Sequence, residues 1–86
     1  MTLLKHSETI KRYMVIDDSG DKYYGTPAKV VLDMRMWDTS MGRCRSNLDY
    51  MRLVKTRLPE LPVCTSEIQF LRTLEDLGRV EIHELN

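Results

Sequence analysis

Between Val30 and Leu58 the apolar positions recur at steps of four and three residues. They are Val30, Met34, Trp37, Met41, Cys44, Leu48, Met51 and Leu58, with Lys55 breaking the series. Such spacing places side chains on one stripe of helix, whether one helix or two carries it. The stripe is expected to supply much of the core, and it contains the single tryptophan of the chain.

Before the stripe, residues 9–16 (TIKRYMVI) are β-branched and aromatic with a loose alternation, which predicts a strand. Ile10, Met14 and Ile16 fall on one side of it, and Lys11, Tyr13 and Val15 on the other. The turn formers of DDSGD (Asp17 to Asp21) follow, and Lys22-Tyr23-Tyr24 reads as the returning strand of a hairpin. Gly25-Thr26-Pro27 then opens a helix, with Thr26 able to cap and Pro27 suited to the first helical position.

A continuous helix over 27–58 would be about 48 Å long at 1.5 Å per residue, long for a chain of 86 residues. Thr39, Ser40 and Gly42 are weak helix formers. Two helices joined by a basic loop over 38–46 are therefore expected, the second capped by Ser46 or Asn47 and stopped by Pro59 and Pro62. Its buried stripe should be Leu48, Met51, Val54 and Leu58. A third helix is predicted from Ser66 to Leu77, with Ile68, Leu71 and Leu74 inward and Phe70 or Leu77 beside them, ended by Gly78. Arg79 to Glu84 alternates and predicts a last strand, Val80 and Ile82 inward. The expected fold is a small α+β domain of order β-β-α-α-α-β. Its short antiparallel sheet, the hairpin plus the C-terminal strand, packs against three helices.

Charge refines this outline. Thirteen basic and thirteen acidic side chains cancel, which argues against a general polyanion binder. They are nevertheless segregated. Residues 35–57 hold Arg35, Arg43, Arg45, Arg52, Lys55 and Arg57 against Asp38 and Asp49. Residues 58–86 hold Glu60, Glu67, Glu75, Asp76, Glu81 and Glu84 against Arg72 and Arg79. The two stretches either pack against each other or leave a basic face for a partner. No apolar run is long enough to cross a bilayer and the N-terminus lacks a secretory signal, so a cytoplasmic chain with no membrane contact is expected. Cys44 and Cys64, neither in a close-spaced pair, fit reduced thiols.

Catalytic chemistry finds little support. DDSGD lacks the closing acid of a calcium loop. His6, His83, Cys44 and Cys64 have no ligand-like spacing. The serines and cysteines lack a glycine-rich elbow. No cofactor, metal or enzymatic activity is expected.

The helices over 47–58 and 66–77 with the strand after them follow the order of a winged helix–turn–helix half. The later helix, however, carries Glu67, Glu75 and Asp76 with only Arg72, which suits phosphates poorly. The strongest candidate is therefore the 38–57 segment acting as a protein-interaction surface of an adaptor or inhibitor. Arg43, Arg45, Arg52 and Lys55 would supply charge and Met41 and Tyr50 contact area, toward a protein partner or a second copy. A nucleic-acid-associated regulator using the same segment is the alternative.

Overall fold

A computed structural model describes residues 10–38 and 44–85. Strands β1 (Tyr13–Asp17) and β2 (Lys22–Gly25) form the hairpin. Helices α1 (Pro27–Trp37), α2 (Asn47–Arg57) and α3 (Glu67–Asp76) follow, and β3 (Val80–Glu84) closes the fold. The expected order β-β-α-α-α-β is the observed one. Both β2 and β3 pair antiparallel with β1, giving the sheet order β2-β1-β3.

The hairpin turn is built by Asp17. Its Oδ1 accepts from the backbone amides of Ser19 at 3.0 Å and Asp21 at 2.9 Å, so the side chain replaces the ladder where the chain reverses. Gly25 then breaks out of β2 with φ +131, a conformation closed to other residues. The next residue, Thr26, accepts from the Lys29 amide and caps α1, with Pro27 at the first helical turn.

The long stripe is divided between two helices. Helix α1 ends at Trp37, and α2 begins after Ser46, whose hydroxyl caps it by accepting from the Asp49 amide. Helix α3 ends in a Schellman arrangement: Gly78 (φ +75) donates to Glu75 O and Arg79 donates to Leu74 O, at 2.9 and 2.8 Å. This closure aims the chain into β3.

Helix α1 packs on β2 and α3 on β3, while α2 lies against both helices. The central core is Val15, Val30, Val31, Leu61, Phe70 and Leu71, each essentially inaccessible. Tyr50 meets Phe70 edge-on, with centroids 6.2 Å apart. Val80 and Ile82 face the core as expected and stay half-buried.

Two members of the stripe are not core residues. Trp37 is 77% exposed and Leu48 39%. Trp37 has the right helical phase, but it is the last residue of α1 and overhangs the turn end of the hairpin, where no further layer of the described residues covers it. Around Leu48 the buried face of α2 is rotated: Tyr50, Met51 and Val54 point inward, and Asn47 takes the inner position of the first turn. The remaining members differ in standing. Cys44 and Leu58 pack at the edge of the core, and Met41 lies outside the described residues.

Candidate functional site

The residues expected to form the basic interaction face separate in three dimensions. Arg45 and Arg52 are exposed and make no hydrogen bond or ion pair with other described residues. Lys55 is occupied: its Nζ donates to the Leu61 carbonyl at 2.7 Å, bracing the segment that follows α2. Tyr50 is not a surface residue. It is buried against Phe70, and its hydroxyl donates to Asp38 Oδ2 at 3.1 Å. Burial on an amphipathic helix is decided by what lies opposite, and Phe70 of α3 lies opposite Tyr50. Arg43, like Met41, lies outside the described residues.

Arg45 opens onto a shallow hollow of about 690 Å³ between α1 and the start of α2. Its apolar lining is Ala28, Leu32 and Leu48, and Arg35 and Arg45 stand at its rim with Lys29. Ala28, Leu32 and Arg35 recur at four and three residues, so they form one outward strip of α1. Arg52 lies one turn beyond Leu48 on α2.

The walls of this hollow are held together by two polar side chains. Arg35 Nη1 donates to the Cys44 carbonyl at 2.9 Å, tying α1 to the residue that leads into α2. The Asn47 amide nitrogen donates to Ala28 O and to Glu67 Oε2, both at 3.0 Å, so one side chain joins all three helices. Arg35 Nε and Asn47 Oδ1 are buried without a hydrogen-bond partner among the described residues. Positive charge predominates here, since Lys29 is neutralised by Asp33 while Arg35 and Arg45 have no carboxylate partner among the described residues; Glu67 is the one acid in the lining.

A second, oppositely charged hollow was not legible in the sequence. Asp17, Asp18 and Asp21 of the hairpin turn and Asp38 at the end of α1 surround a cleft of about 340 Å³ with Tyr23, Tyr50 and Trp37. Asp17 accepts from the Tyr23 hydroxyl at 3.3 Å, as Asp38 does from Tyr50. Burial, reinforced by the Asp17 charge, pushes the Tyr23 phenol up to about 12. Burial and the Asp38 charge also raise that of Tyr50. Both phenols are neutral donors across the physiological range, so neither acts as a base. Asp17 and Asp38 are twenty-one positions apart, and only the folding of α1 over the hairpin joins them.

Metal-ligand chemistry is not assembled. Among the described residues no three His, Cys, Asp or Glu side chains are grouped to hold a metal ion. Both cysteines are free thiols, Cys64 buried and Cys44 partly so, and His83 is exposed beside Glu81 at 3.3 Å. His6 lies outside the described residues. None of the described helices is long and apolar enough to cross a membrane. Comparison with protein-family models, with curated proteins and with solved structures finds no match to this chain.

Proposed function

We propose that this protein is a small non-enzymatic interaction module, of the adaptor or inhibitor kind, and that the α1–α2 hollow takes an acidic and apolar segment of a partner protein. The observation that carries this reading is the hollow itself. Leu32 and Leu48 line it with apolar surface, while Arg45 at its rim has no carboxylate partner among the described residues. Half-buried Leu32 and exposed Leu48 lose their remaining hydration when a partner covers them, and arginine gives the contact a charge-matched rim. Leu48 fits this role better than a core role because Asn47 has taken the inward position.

The alternative of a nucleic-acid partner has less support. Arg45 and Arg52 are exposed, but Glu67 lines the same hollow and α3 carries Glu67, Glu75 and Asp76. Phosphate contacts need a continuous basic surface.

Peptide display against the whole chain tests the proposal. Selected peptides should combine carboxylates with leucine-like anchors, and Arg45→Glu or Leu48→Glu should weaken them by about tenfold or more. Binding unaffected by either substitution, or selection of basic peptides, would overturn it. Titration with DNA and RNA at low salt provides the other arm, where tight binding lost in Arg45→Glu with Arg52→Glu would favour the nucleic-acid reading.

A further inference from the structure

We infer that the free edge of β3 is a homodimerisation strand, pairing antiparallel with β3 of a second copy in a register centred on Ile82. This surface is separate from the α1–α2 hollow: β3 and β2 are the opposite edges of the sheet, and α1 packs over β2.

The backbone sets the first condition. Leu85 N–H donates to Arg12 O at 2.9 Å, which continues the β1–β3 register by one pair. Hydrogen-bonded and non-hydrogen-bonded pairs alternate along an antiparallel ladder. His83 and Glu81 therefore direct their amides and carbonyls toward β1, and Val80, Ile82 and Glu84 direct theirs to the open edge. The opposite edge of β1 gives the same phase, because Asp17 N–H donates to Asp21 O at 3.0 Å in line with the β1–β2 register. Three donors and three acceptors thus stand in a row on β3, and among the described residues β1 is its one neighbour in the sheet.

Side chains then choose the register. An antiparallel self-pairing must set residues with outward backbone groups opposite one another, which limits the alternatives. Centred on Ile82, the five residues of β3 all pair: Val80 with Glu84, Ile82 with Ile82, and Glu81 with His83. The last pair occurs twice, once on each side of the twofold axis, and sets a carboxylate against an imidazole. A shift by one step in either direction sets Glu81 against Glu81 or His83 against His83, and shortens the ladder. Carboxylates directly opposite one another repel, whereas a carboxylate opposite an imidazole can accept its N–H, so the sequence VEIHE selects the full-length register.

The β2 edge lacks these properties. It has four residues and ends at Gly25, and its outward groups belong to Lys22 and Tyr24. Its longest self-pairing sets Lys22 opposite Tyr24 and no carboxylate opposite a side-chain donor, and lysine at an edge is a common guard against pairing. Val80 and Ile82, by contrast, remain half-buried, leaving apolar surface on the helix side for a partner strand to cover.

Sedimentation of the full chain across a concentration series, together with three variants, tests this assignment. The wild type should show reversible dimerisation. Glu84→Pro removes one outward N–H without touching the β1 ladder, and should weaken the dimer by about tenfold or more. Glu81→Lys should do the same, and the exchange Glu81→His with His83→Glu should restore it to within about threefold. Circular dichroism checks that each variant is folded, and the exposed position of Glu81 keeps the test valid if Glu84→Pro unfolds. In mixed isotope-labelled samples an intermolecular contact between the Glu81 and His83 α-protons should appear. A wild type still monomeric at about 1 mM would overturn the inference. So would a dimer indifferent to Glu81→Lys, which would have to use another surface.

Discussion

The hydroxyl of Tyr50, on α2, donates to Asp38, the residue that ends α1, at 3.1 Å. That bond links the C-cap of α1 to α2 and holds the two helices in their packed relation. Tyr50→Phe keeps the edge-on contact with Phe70 and removes the bond. The expected loss is about 1 kcal/mol, measured by urea denaturation.

Alkaline stability should report the same contacts. The folded-state pKa of Tyr23 is raised from 10.0 to about 12, and that of Tyr50 is raised as well. A raised phenol pKa means that folding favours the neutral form. The associated stability is complete below about pH 10 and is lost as pH climbs toward the folded values. Tyr23→Phe and Tyr50→Phe should therefore flatten the decline above pH 10 when melting temperatures are compared with wild type. An unchanged slope in both variants would contradict the assignment.

Trp37 should behave as a surface chromophore. Its emission should resemble that of indole in water, respond to acrylamide in the folded state and change little on unfolding. Trp37→Ala should cost less than about 0.5 kcal/mol. Leu71→Ala, at a fully buried position, should cost about 2–5 kcal/mol by cavity formation. Equal losses for the two variants would return Trp37 to the core.

Gly25 is expected to be intolerant of any side chain. Its φ is +131, and an added Cβ would stand 3.0 Å from Lys29 Cγ. Gly25→Ala should lower stability by about 1–3 kcal/mol through backbone strain. Gly20, with open space around it, should tolerate the added methyl better, apart from its own positive φ of +90. Thermal melts of the two variants make the comparison.

Asn47→Asp offers a pH-dependent test of the three-helix junction. The new carboxylate would face Ala28 O and Glu67, where an amide now donates to both. Its folded-state pKa would be raised, so the variant should be about 1–3 kcal/mol less stable at pH 7 and recover as pH falls toward 4. Denaturation at the two pH values would show it. A deficit independent of pH would mean that repulsion from Glu67 plays no part.

Much of this architecture is local and therefore legible in the chain. Thr26-Pro27, Ser46 and Ser66 cap the helices because a hydroxyl reaches the free amides of its own first turn, and no distant residue is needed. Asp17 builds its turn with amides two and four residues away. The candidate hollow was half legible. Arg45 stands out by charge alone, but Leu32, Arg35 and Asn47 join it only through the packing of α1 on α2.

The sequence by itself determined the elements, their order, the helix ends and the antiparallel sheet, because caps, breakers and periodicity act over a single turn or strand. The first strand, expected over 9–16, instead spans Tyr13–Asp17. Tertiary structure decided which apolar residues became core. Trp37 and Leu48 have helical spacing that suits burial, yet burial requires an opposing surface. The hairpin ends beneath Trp37, and Asn47 occupies the inward position beside Leu48. Tyr50 went the other way, drawn inside by Phe70 and Asp38. The outward edge of β3 is likewise a property of the fold, since the pairing of Leu85 with Arg12 sets which amides point away from the sheet.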